Sequence, residues 1–226
     1  MKLEYLVFNL IIFFLPIFAS FFYPKINYPT NFQALFSIFI SSLIFIIHDN
    51  KVANKWWRFN KRFILGIKIF NLPTEEILFF LTVSFSCLTL WLNLKNISNL
   101  SIKNYFYGSF HILIFIFYHF LFLKTKKPYP KFVNFFYFFI LFFDIFFKTH
   151  LVFKLNFLIF ILITYLLTLI FNFYLTKRPV VLYNEQFKSG LKILSIPIED
   201  FLYGINFLYL TIFLFEFLSN NSIFFK

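Results

Sequence analysis

The sequence predicts an all-α, polytopic membrane protein of about seven transmembrane helices, arranged as two parallel three-helix repeats joined by a connector helix. Three observations lead there. First, 61% of the 226 residues are hydrophobic and only 13% are charged, with a mean hydropathy of +0.80. A soluble domain of this size could not hide that much apolar surface. Second, apolar runs approaching the ~20 residues needed to cross a bilayer recur along the chain. Third, residues 63–79 return in altered form as residues 187–203, a shift of 124 positions.

Taken in order, the first run spans roughly Tyr5 to Phe22. It follows Lys2, as a signal peptide would, but no small-residue cleavage site closes it and further membrane runs follow, so it reads as a first transmembrane helix. Pro16 is expected to kink it. The second run is Asn31 to Ile47, followed by a polar stretch from His48 to Leu72. The third is Pro73 to Leu94 and the fourth Tyr105 to Leu123, after which a basic turn carries Pro128 and Pro130. The fifth run, Phe132 to Phe147, breaks at Lys148-Thr149-His150 before the sixth, Phe153 to Leu175. A second polar stretch, Thr176 to Ile196, precedes the seventh, Pro197 to Leu218. The expected domains are therefore a first repeat at 1–103, a connector helix at 104–130 and a second repeat at 131–226.

Charge orients this arrangement. Of the 21 Lys and Arg residues, fifteen fall on one side of a seven-span chain and six on the other. The positive-inside rule then puts the N-terminus in the cytoplasm, in a multi-pass protein of the cell membrane. The net charge of +12 is spread between apolar runs and forms no basic patch on a soluble module, so nucleic acid is not an expected partner. Anionic lipid is.

The repeat concentrates its identities around one phrase. Phe63, Gly66, Lys68, Ile69, Pro73, Glu75 and Leu78 match Phe187, Gly190, Lys192, Ile193, Pro197, Glu199 and Leu202, seven identities in 17 positions. Each copy opens a membrane helix with a proline and two adjacent acids, Glu75-Glu76 and Glu199-Asp200. Four runs separate the copies, so both point the same way, and parallel repeats place a site where the halves meet. Proline suits the first helical position, and acids in the first turn gain ~0.3–1 kcal/mol from the helix dipole. Capping alone could explain one copy. Two copies beside hydrocarbon point to chemistry: an apolar site disfavours the charged carboxylate, and adjacent carboxylates resist ionising together. One acid of each pair is then expected to stay protonated near neutral pH, as a general acid must. Phe79 and Tyr203 stand four residues after Glu75 and Glu199, on the same helix faces. Aromatic faces stabilise cations, although 44 phenylalanines in the chain also make an aromatic neighbour expected by composition.

Other polar groups read as structural. Asp144 is close enough to Lys148 for an ion pair or an interfacial position. His111 and His119 in the fourth run are expected to be hydrogen-bonded, and Cys87, the single cysteine, to be a small buried apolar residue. Glu216 lies about 25 Å along a helix from Glu199 and cannot join the same acid pair; the first repeat has Leu92 in its place. No metal-ligand spacing is visible.

With these motifs in view, the chain resembles the lycopene cyclase domain family, flavin-free membrane lycopene β-cyclases, in a fused two-half form. The resemblance rests on Trp57-Arg58-Phe59-Asn60 and Gly66 through Phe80 in the first half. In the second half it rests on Pro179 through Asn184 and Gly190 through Gly204. Two departures are His48-Asp49, where the family commonly has Trp-Asp, and Leu92, where it often has Glu. The resemblance implies an intramolecular lyase, an isomerase that closes β-rings on the linear ψ-end groups of lycopene to give β- or γ-carotene. An acid protonates the terminal double bond, the neighbouring double bond attacks the cation, and loss of a proton completes the ring. No cofactor is implied, and no Gly-x-Gly-x-x-Gly occurs. Glu75 or Glu76, with Glu199 or Asp200, would be acid and base. Asp49, Trp57, Asn60, Asn172, Tyr183 and Asn184 would shape or polarise the pocket. The expected partners are the carotenoid substrate and membrane lipid, with homo-oligomerisation or association with other carotenoid enzymes compatible with both. Rival readings are a membrane transporter and a carotenoid-binding protein without turnover. A prenyltransferase would need Asp-rich magnesium motifs, which are missing, as are the histidine boxes of a di-iron hydroxylase.

Overall fold

The structure, a computed structural model, describes residues 2–97, 113–114, 116–122 and 125–221. Its long elements are helices: α1 (Glu4–Ala19), α2 (Phe32–Val52), α3 (Thr74–Ile97), α4 (Pro128–Phe146), α5 (Leu155–Lys177) and α6 (Ile198–Asn220). Among the described residues, five helices, α2 to α6, are long and apolar enough to cross a membrane. The shorter α1, at 16 residues, is about 24 Å long. Most of the expected fourth run, Tyr105 to Leu123, lies outside the described residues, and His111 with it. The helical positions 116–122 do include Tyr118 and Phe122, both buried in the main core. His119 bonds the Asn134 side chain at 2.7 Å.

The apolar patterning explains the layering. Phe14, Phe18, Phe135, Phe142, Leu166 and Ile170 stand exposed on the outer faces of α1, α4 and α5, as lipid-facing residues do. α6 is the central helix: 78% of its apolar stretch is buried, against 22% for α5. α2 and α4 pack closely on α6, and α1 packs on α3.

α1 contains Pro16, which has no N–H to give the carbonyl of Ile12 four residues earlier. The Ser86 hydroxyl donates to that carbonyl at 2.7 Å and so joins α3 to α1. α2 begins at the N-cap Asn31, whose side chain accepts from the Ala34 N–H at 2.9 Å. It runs on past Ile47 to Val52, so His48 and Asp49 belong to its last turns and not to a polar loop.

The two polar stretches add what the all-α expectation omitted, three small antiparallel sheets. Strands β2 (Lys68–Ile69) and β3 (Leu72–Pro73) form a hairpin ahead of α3; β5 (Lys192–Ile193) and β6 (Ile196–Pro197) form its counterpart ahead of α6. Each proline therefore ends a hairpin and precedes the first helical residue, one place earlier than the N1 position expected. Gly66 and Gly190 enter these hairpins with φ of +93° and +91°, a region that a Cβ disfavours. Phe70 and Leu194, at the tips, share φ values of +56° and +57°. The shift of 124 thus holds to the level of single backbone angles.

The remaining strands, β1 (Trp57–Phe59) and β4 (Val181–Tyr183), join the halves. Trp57 pairs with Tyr183, Arg58 with Leu182 and Phe59 with Val181. The Asn60 N–H donates to the Val180 carbonyl at 2.9 Å, and the Asn184 N–H to the Trp56 carbonyl at 2.7 Å. These two bonds exchange under the shift of 124, so a pseudo-two-fold axis passes through the Arg58–Leu182 pair.

Asp144 corrects an expectation. It is fully buried, and its partners are not Lys148 but the Thr149 hydroxyl, the N–H groups of Leu151 and Val152 at 2.9 and 3.1 Å, and the Tyr209 hydroxyl at 2.8 Å. A buried carboxylate takes donors where it finds them, and the backbone turn after α4 supplies several at once. Glu216 is likewise structural: it accepts from Trp91 Nε1 at 2.9 Å and from Lys95 Nζ at 2.8 Å.

Candidate active site

Adjacent residues on a helix point about 100° apart, and this separates the two acids of each phrase. Glu75 turns back to its own hairpin, where Oε1 accepts from the Leu65 N–H at 2.5 Å and Oε2 from the Thr74 hydroxyl at 3.2 Å. Glu199 does the same with the Ser189 N–H, leaving Oε2 buried without a partner. Glu76 and Asp200 turn the other way and line a cavity.

That cavity has a volume of about 1180 Å³ and lies among α1, α3, α5 and α6. Along α3 it is lined from Glu76 to Asn93, a length of about 25 Å. Ile12, Ala19, Val83, Leu90, Leu167 and Phe171 make its wall largely apolar. At the far end, Tyr23 to Asn27 cross the mouth, held by reciprocal bonds of 3.0 Å between the Asn27 backbone and the Asn93 side chain. The acids gather at the opposite end, beside the strands that join the halves.

There the three cavity carboxyls stand in two centres. Asp49, from the last turn of α2, contacts Glu76 through its carboxyl. The Tyr5 hydroxyl donates to Glu76 and the Tyr203 hydroxyl to Asp49; His48 Nδ1 lies 3.1 Å from Asp49 Oδ1. The second centre is Asp200, which accepts from the Tyr129 hydroxyl at 2.8 Å and from Tyr183 at 2.5 Å. Burial and the neighbouring Asp200 carboxyl push the Tyr183 phenol well above its ordinary pKa, so it acts as a donor. Trp57 sits between the tyrosines, its ring centroid 5.4 Å from Tyr129 and 6.2 Å from both Tyr183 and Tyr203. An apolar cavity that ends in carboxyls and aromatic faces can deliver a proton to a hydrocarbon, shelter the cation from water and take a proton back.

Of the residues expected from sequence, the fold brings Asp49, Trp57, Glu76, Phe79, Asn172, Tyr183, Asp200 and Tyr203 to this cavity. It does not bring Glu75, Glu199, Asn60 or Asn184. The two asparagines hold the joining strands: Asn60 Oδ1 accepts from the Arg62 N–H, Asn184 Oδ1 accepts from the Gln186 N–H, and Asn184 Nδ2 donates to the Lys55 carbonyl. Tyr5 and Tyr129 went unnoticed. They too are related by the shift of 124, which therefore carries a signal well outside residues 63–79. Their backbones repeat as well, Tyr5 N–H to Phe63 O at 3.0 Å and Tyr129 N–H to Phe187 O at 3.1 Å. Among the described residues no group of three His, Cys, Asp or Glu side chains is placed to hold a metal ion.

Comparison with known families gives a match that falls twice on the chain. The profile described as "Lycopene cyclase" matches residues 3–94 and again residues 126–218, one copy on each structural repeat. No curated protein and no solved structure matches the chain.

Proposed function

The chain belongs to the lycopene cyclase family, and from that premise we propose that it is a membrane lycopene β-cyclase, an intramolecular lyase that turns the linear ψ-end groups of lycopene into β-rings. The observation that carries the reading is the clustering of Asp49, Glu76 and Asp200 at the end of one apolar cavity. The proposal includes seven transmembrane spans, with the N-terminus and the acid cluster on the cytoplasmic side, as the distribution of Lys and Arg favours.

The ψ-end group enters the carboxyl end of the cavity. Two carboxyls in contact share a proton, because only a protonated member can donate to the other. The Asp49–Glu76 pair is therefore the acid, and Glu76 delivers the proton to the terminal double bond. The tertiary cation that forms lies against Trp57, Phe79 and Tyr203. The neighbouring double bond closes the six-membered ring, and loss of a ring proton restores neutrality. Asp200, held by Tyr129 and Tyr183 with both oxygens accepting, is the base. One proton is added and one removed, so the product is an isomer of the substrate and no electrons are exchanged. Glu75 and Glu199 keep the hairpins against their helices and do not touch the substrate.

Expression in a lycopene-accumulating bacterium, followed by pigment chromatography, tests the reading. Cyclic carotenes are expected. Lycopene that stays linear, with the protein demonstrably in the membrane, refutes it.

A further inference from the structure

The pseudo-two-fold symmetry calls for two cavities. One lies among α1, α3, α5 and α6; its counterpart would lie among α4, α6, α2 and α3. That second space is filled by phenyl rings. Phe45 meets Phe136 at 5.3 Å and Phe132 meets Phe136 at 5.6 Å; Phe207, 5.0 Å from Phe45 and 5.2 Å from Phe80, closes the wall between this space and the open cavity, which Phe80 and Phe207 also line. Phe45 is 1% exposed and Phe207 2%.

The exchange that fills one side and empties the other is legible residue by residue. Under the shift of 124, Phe136 stands where the open side has Ile12, and Phe207 where it has Val83. Phe143 likewise corresponds to Ala19, another lining residue. The acids follow the same division. Asp200 belongs to the second half, yet it lines the cavity of the first, together with Asp49 and Glu76. The position equivalent to Asp49 is Phe173. Both acid phrases thus serve one chamber.

Resting on the cyclase reading above, we propose that the protein closes one ring at a time in the cavity that Asp49, Glu76 and Asp200 share. Ile12, Ala19 and Val83 are the specificity-determining residues that keep it open. A linear polyene enters by one end, gains a proton, closes a ring and loses a proton. The monocyclic product must then leave, and a second ring requires it to return with its other end foremost. Among the described residues, the symmetry-related space is packed with phenyl rings and does not hold the other end group meanwhile.

A pulse–chase on membranes carrying the full chain tests this. Labelled lycopene is supplied briefly and followed by a large excess of unlabelled lycopene. The expected result is label in the monocyclic product first, with the chase preventing its passage to the bicyclic one. A chain that stops at one ring gives label in the monocyclic product alone and supports the proposal equally. Label passing into bicyclic product despite the chase overturns it. Val83→Phe, which copies the closed side, is expected to lower the initial rate about tenfold or more, while Phe136→Ile, away from the cavity, leaves it unchanged. Val83→Phe present in the membrane at normal amount with the wild-type rate would also overturn it. Wild-type membranes that make no rings at all would instead refute the cyclase reading.

Discussion

Neighbouring acids with different neighbours allow a sharp test. Glu75 and Glu76 are adjacent, and replacing either by Gln exchanges one carboxyl oxygen for an amide nitrogen on the same carbon skeleton, so size is preserved. In Glu75→Gln, the amide oxygen can still accept the Leu65 N–H that Oε1 now accepts at 2.5 Å, and the amide nitrogen can donate to the Thr74 hydroxyl, 3.2 Å from Oε2. What is lost is part of the strength of these two hydrogen bonds, about 1–1.5 kcal/mol of stability. The rate per folded molecule should stay near wild type. In Glu76→Gln the group that faces the cavity no longer carries a transferable proton, and removal of a general acid costs about a hundredfold to ten-thousandfold in rate. The assay is ring formation in isolated membranes, normalised to the amount of inserted protein. If Glu76→Gln keeps more than about a tenth of the rate, or if Glu75→Gln loses as much as Glu76→Gln at normal protein level, the division of labour between the two acids is wrong.

Other outcomes follow from the same geometry. Tyr183→Phe removes a 2.5 Å donor from Asp200 and should slow ring formation by about ten- to a hundredfold; because the equivalent residue in the first half is Phe59, packing should survive, and an unchanged rate would remove Tyr183 from the site. Ser86→Ala leaves the Ile12 carbonyl without its donor and should lower thermal stability in detergent by about 1–3 kcal/mol. Adding Pro16→Ala, which restores a backbone N–H for that carbonyl, should recover part of the loss, and strictly additive effects in this pair would refute the link. Gly66→Ala places a Cβ at φ +93°, where nothing else lies within 4 Å, so any loss, expected at about 1–2 kcal/mol, is backbone strain alone; equal stability of variant and wild type would show that the hairpin relaxes.

Much of the fold was legible because hydropathy and repetition are read over many residues. Runs of apolar residues located the six described helices to within a few positions, and the shift of 124 located both acid phrases. The strands were not legible, since two or three residues are too few to show a period, and their register depends on the partner half. The site was half legible. Proline followed by two acids pointed to the right turn of each helix, but choosing between Glu75 and Glu76 required knowing which side of α3 faces the hairpin. Asp49 is an instructive case: the resemblance suggested it, whereas its contact with Glu76 exists only because α2 continues past its apolar run, from Ile47 to Val52, and packs beside α3. Asn60 and Asn184 looked equally suitable, yet their side chains are used locally to hold turns.

The strand pair through Arg58 and Leu182 bears on how such a protein can be assembled. A joint in which each edge offers the same donors and acceptors in the same order is self-complementary. A single half of this chain therefore carries both sides of its own interface, and two identical halves could meet through it without a separately encoded mate. Fusion into one polypeptide relaxes that constraint. Once the halves are covalently tied, each may depart from the other, and here they have: one keeps the vestibule and the extra acid, while the other contributes phenols and fills its own hollow with aromatic rings.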